Sequence, residues 1–144
     1  MLIGQYSHTI DDKKRINLPK NWKVTFGKKV VVTRGLDTCI FLYTVKEWAS
    51  IAAKLAQTSM GSKDARDLNR FFLSGAIEID VDTAGRILLP EYLKAFANLE
   101  DKVIFAGLYN RAEIWNEKEW EKKQKEVSEK ADEVASKLQE IGMI

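Results

Sequence analysis

One cysteine, one histidine and two prolines are all that the 144 residues contain of those types. A lone cysteine, Cys39, forbids an internal disulfide framework. It lies in an apolar strand pattern and reads as a small buried hydrophobe. The single histidine, His8, has no partner at metal-ligand spacing beyond the Asp11–Asp12 pair, so no metal and no other cofactor is expected. A glycine-rich phosphate loop and a strained serine elbow are both missing, and no enzyme is expected. No apolar run approaches the roughly 18 residues that mark a membrane helix, and the N-terminus lacks a basic-then-apolar leader. The expected place is therefore the cytoplasm, with no membrane partner and no evident small-molecule effector.

What is present is ordinary in bulk: 45% hydrophobic and 31% charged residues, with a net charge of +2. That net charge hides an asymmetry. Residues 7–48 hold nine basic and four acidic side chains, whereas residues 78–120 hold five and nine. A basic half suits a polyanionic partner; unlike halves also suit attraction across an oligomer contact.

The dominant feature is an internal repeat. Asp11, Arg15 and Pro19 recur 71 residues later as Asp82, Arg86 and Pro90, each set enclosing a short apolar stretch. Val31 to Leu36 is echoed by Val103 to Leu108, and Lys46-Glu47-Trp48 by Lys118-Glu119-Trp120, at an offset of 72. Two copies are too few for a solenoid and imply two like modules with pseudo-twofold symmetry. One copy of about 45 residues buries too little apolar surface to stand alone, so the two share a core or interlock.

Each copy reads as strand, turn, strand, short helix, strand, turn, strand. Pro19 ends a short strand and opens a helix over about 20–26. Thr44 and Glu47 have capping-box spacing before a helix whose inner face is Trp48, Ile51, Ala52 and Leu55. A second connecting helix, from Ser62 to Leu73, puts Ala65, Leu68, Phe71 and Phe72 on its apolar face. In the tail, Trp120, Gln124, Val127, Ala131, Val134, Leu138 and Ile141 alternate in steps of four and three, a coiled-coil seam. That helix is expected to dock on its own module or on a neighbouring subunit. The fold class is α+β: two pseudo-symmetric modules sharing a β core, with connecting helices and a C-terminal helix. The expected divisions are a first module at 5–48, a helical connector at 49–75, a second module at 76–120 and the tail helix at 121–144.

The chemistry concentrates at the first turn. Lys13, Lys14 and Arg15 are consecutive cations at a strand-turn-strand tip, where they repel one another and contribute little to folding. An external anion explains them better than a solvated hairpin does. Lys13 and Lys14 suit phosphates, and Arg15 can also read guanine in a major groove wide enough for a two-stranded ribbon. Asp11 is expected to cap backbone N–H groups and brace Arg15. The second copy keeps Asp82 and Arg86 but has Ala84 and Gly85 in place of the lysines. Asp11, Asp82 and Arg86 therefore read as turn-bracing, and Lys13, Lys14 and Arg15 as the contact residues. If the two backbones match, Lys14 sits in the left-handed region that Gly85 adopts freely. A carboxylate dyad is a poor alternative, because the cations around Asp11 keep it ionised.

The paired Asp-x-x-x-Arg turns, each leading into an apolar strand and Pro, resemble the MraZ family from Tyr6 to about Trp120. The Met1–Tyr6 segment and Gly107-Leu108-Tyr109-Asn110 suit it too. The resemblance implies two AbrB-like (SpoVT-AbrB) swapped-hairpin modules. It also implies a nucleoid-associated regulator of transcription, usually a repressor, acting on the division and cell wall gene cluster. Such proteins bind double-stranded DNA at short direct repeats, as a ring-like homo-oligomer with head-to-tail contacts. Asp11, Lys13 and Arg15 match the first motif and Asp82 and Arg86 the second; the family usually has Gly at the place of Lys14. Two rivals remain at this point: an oligomeric scaffold with no DNA role, and an antitoxin-like regulator of the same hairpin fold.

Overall fold

The computed structural model describes residues 1–58 and 60–144. The first copy supplies strands β1 (Leu2–Thr9), β2 (Arg15–Asn17), β3 (Lys29–Arg34) and β4 (Ile40–Thr44), with a 3-10 turn at Lys20–Trp22 and helix α1 (Lys23–Phe26) after β2. Helices α2 (Val45–Ala56) and α3 (Lys63–Leu73) connect to the second copy. That copy holds β5 (Ile77–Asp80), β6 (Arg86–Leu88), α4 (Glu91–Phe96), β7 (Lys102–Tyr109) and β8 (Ala112–Asn116), and ends in α5 (Glu117–Glu140).

The copies interlock by exchanging first strands. Strand β1 pairs antiparallel with β7 of the other copy, Leu2 opposite Tyr109 and Thr9 opposite Lys102. Strand β5 pairs with β3, Lys29 opposite Asp80. The resulting six-stranded order, β1-β7-β8-β4-β3-β5, is unchanged when the two copies are swapped. Strands β2 and β6 form a separate two-stranded ribbon, with Ile16 opposite Ile87. Neither copy is closed by its own strands, which is how 45-residue units reach a sufficient core.

That core lies between the ribbon and one face of the sheet. Ile16, Leu18, Trp22, Val30, Val32, Ile87, Leu93 and Phe105 are all buried, and both copies contribute. Trp22 meets Tyr6 and Phe105 edge-on with centroids 5.2 and 6.1 Å apart. The opposite sheet face carries a second cluster of Cys39, Phe41, Tyr43, Ile104 and Trp115. The repeat-equivalent Trp48 and Trp120 pack on it from α2 and α5. Cys39 is fully buried, and burial pushes its thiol well above the ordinary range, so it is inert.

The caps follow the sequence. The Thr44 hydroxyl accepts from the Glu47 amide (3.1 Å) and the Ser62 hydroxyl from the Ala65 amide (3.2 Å). Helix α3 folds back so that Phe72 stacks on Phe41 and the Thr33 hydroxyl donates to the Phe72 carbonyl. Leu68, assigned to its inner face, is 41% exposed, because Phe71 and Phe72 already fill the contact. Helix α5 docks only at its start: Trp120 packs on Trp115, and Lys123 lies 3.9 Å from Asp37. Beyond that the seam leaves the body, with Val127, Val134 and Ile141 all exposed. Among the described residues no helix returns over α5 as α3 returns over α2.

Candidate nucleic-acid interface

Both turns are built by one carboxylate. In the first, Asp11 Oδ1 accepts from the amides of Lys13 (2.9 Å) and Arg15 (2.8 Å), and Oδ2 accepts from Arg15 Nε (3.1 Å). In the second, Asp82 Oδ1 accepts from the amides of Ala84 (2.9 Å) and Arg86 (2.9 Å), and Oδ2 from Arg86 Nε (2.9 Å). The Arg15 amide chiefly, then its guanidinium and the Lys13 amide, hold the Asp11 carboxyl below the usual range against a smaller opposing effect of burial. The same donors from Arg86 and Ala84 do so for Asp82. Lowered carboxylate values stabilise the turns at neutral pH, and that support is lost only as acid titrates the bound carboxyls.

The brace has a chemical consequence. Because Asp takes only Nε, both terminal nitrogens of each guanidinium are left unengaged among the described residues. A planar fork held at its root and free at its tip suits a phosphate or the O6/N7 edge of guanine. The arginines are equally exposed, at 29% of each side chain. Strand alternation around the buried Ile16 and Ile87 puts both on the outward face of the β2–β6 ribbon. The structure thus brings Asp11, Lys13, Lys14 and Arg15 together at one end of the ribbon and Asp82 and Arg86 at the other.

Lys14 has φ 66° and Gly85 φ 81°, so the two backbones match and the lysine is held left-handed. Lys13 and Lys14 are exposed at the tip. Lys14 also adds to the Lys94 ammonium in holding the Glu91 carboxyl below its usual range. The second turn is less bare of charge than its sequence implies. Lys23, from the first copy, donates to the Ala84 carbonyl (3.2 Å), and a Cβ on Gly85 would lie 2.4 Å from its Cε. A cation from α1 thus stands beside the place where the first turn has Lys14. Only the interlocking of the copies puts it there, and no local pattern around Lys23 signals it.

Among the described residues no cluster of three metal-ligating side chains occurs, and no helix is long and apolar enough to cross a membrane.

Comparison with known proteins agrees with this doubled architecture. The family model of the MraZ protein, described as antitoxin-like, matches twice, at residues 1–71 and 72–140. The transcriptional regulator MraZ of Caldicellulosiruptor saccharolyticus is 43% identical over 143 residues, covering 99% of this chain and all of that protein. The transcriptional regulator MraZ of Caldanaerobacter subterraneus subsp. tengcongensis is 45% identical over 138 residues, 96% of each chain. That of Thermoanaerobacter sp. strain X514 is 43% identical over 143 residues. With both repeats matched and relatives aligned end to end, the chain belongs to the MraZ family.

Proposed function

We propose that this chain is a sequence-specific DNA-binding regulator of transcription that meets double-stranded DNA through the first turn. The observation that carries this is the Arg15 fork, rooted on Asp11 and open at its tip between the exposed Lys13–Lys14 pair and the ribbon face. Arg15 takes a base edge while Lys13 and Lys14 take phosphates. Asp11 and Asp82 brace the turns, and Arg86 shapes the second. The relatives' designation as transcriptional regulators supports the DNA reading.

The finer reading follows the family resemblance. The protein acts in the cytoplasm on the nucleoid, as a repressor of the division and cell wall gene cluster. It binds short direct repeats as a head-to-tail ring. The basic first copy and acidic second copy suit a heterologous contact in which unlike surfaces meet. One short basic turn is a weak reader, and several on one ring gain by effective concentration. A gel shift with the protein's own upstream DNA at two salt concentrations tests this: a specific complex weakened by salt is expected, and no specific shift at low salt contradicts it. The exposed seam of α5 favours a second reading, an oligomeric scaffold without DNA, which that same negative result would support.

A further inference from the structure

The outward face of the β2–β6 ribbon carries more than its two arginines. Ile16 and Ile87 point into the core, so alternation sends Arg15, Asn17, Arg86 and Leu88 outward. The register sets Arg15 opposite Leu88 and Asn17 opposite Arg86. Facing residues sit about 5 Å apart and successive same-face residues about 7 Å. The four side chains form a quadrilateral, with the arginines on one diagonal and Asn17 and Leu88 on the other. It fits a major groove about 12 Å wide.

Folding does not account for the second diagonal. Asn17 is exposed, and no hydrogen bond to its side-chain amide forms among the described residues. Leu88 leaves 56% of its surface in water while its neighbours Ile87 and Leu89 are buried. A free carboxamide presents the donor and acceptor that match adenine N6 and N7, and an exposed aliphatic chain matches the methyl of thymine. Asn17 and Leu88 are also repeat-equivalent, as are Arg15 and Arg86. Two equivalent arginines alone would greet a duplex identically in either orientation; an amide on one side and a leucine on the other make the ribbon directional. A reader of direct repeats needs that direction.

We infer that Asn17 and Leu88 are base-reading residues, Asn17 for an adenine and Leu88 for a thymine methyl, and that their difference orients the protein on DNA. This rests on the DNA reading above. To test it, the preferred duplex of the full-length protein is selected from a randomised pool, and every base pair is then substituted in turn. Asn17→Ala loses about tenfold discrimination at one A·T pair and keeps it elsewhere. Leu88→Ala does so at a neighbouring pair. Asn17→Leu, which makes the four-residue face symmetric, narrows the distinction between the two orientations of an asymmetric site to what the one-sided Lys13–Lys14 phosphate contacts supply. Melting temperatures separate a lost contact from a lost fold, and Asn17→Ser is the substitute if Asn17→Ala melts early. Wild-type preferences at every position in the variants overturn the inference while leaving the DNA reading intact. A wild-type protein that selects no sequence overturns both.

Discussion

Lys14 is the residue where folding and function pull apart. A left-handed backbone costs an L-residue about 1–2 kcal/mol, and Gly85 occupies the equivalent place at φ 81° with no such penalty. A lysine kept there against strain fits the proposed phosphate contact, beside its weaker pull on the Glu91 carboxylate. Lys14→Gly should raise stability by roughly 1 kcal/mol in urea unfolding, while removing about one unit from the slope of log affinity against log salt. An unchanged slope means that Lys14 does not touch phosphate. The reverse change, Gly85→Lys, is no mirror experiment, because its Cβ would push the flexible end of Lys23 away from the Ala84 carbonyl.

The β2–β6 ribbon is the element that carries the proposed site, and with three residues per strand it cannot hold itself together. Ile16 and Ile87 anchor it from beneath, at 0% and 1% exposure. Ile87→Ala should cost about 2–5 kcal/mol of stability in denaturant unfolding, while Leu88→Ala next to it should stay within about 0.5 kcal/mol. A mild effect at Ile87 would mean that the ribbon is not seated on the core. Much of this element was legible beforehand. The alternation of Arg15-Ile16-Asn17-Leu18, the turn chemistry of Asp11 and the left-handed Lys14 all follow from local rules and from comparing two copies. The exchange of β1 and β5 was not legible, since periodicity names strands but not partners. Lys23 was hidden for the same reason: its contact at Ala84 lies 61 residues away along the chain. The inner face of α3 was overdrawn at Leu68 because amphipathic spacing does not say how far two phenylalanines already reach.

At the scale of the whole molecule, interlocking turns two similar sequences into one body with unlike sides. Part of the charge difference is spent inside the chain, where Lys29 on β3 reaches Glu78 (3.6 Å) and Asp80 (2.9 Å) on β5. These pairs are exposed and contribute little to stability. The remaining imbalance and the α5 seam, on a helix about 36 Å long, are left for contacts beyond one chain. On the proposed reading, assembly and DNA binding rest on different surfaces, and one experiment separates them. The most direct test of the account is the affinity of wild type and Arg15→Ala for the native upstream duplex and for a random duplex, across a salt series, with each protein's mass in solution measured alongside. Arg15→Ala is expected to keep the wild-type mass but lose most of its preference for the native duplex. Equal affinity of the two proteins for both duplexes would contradict it.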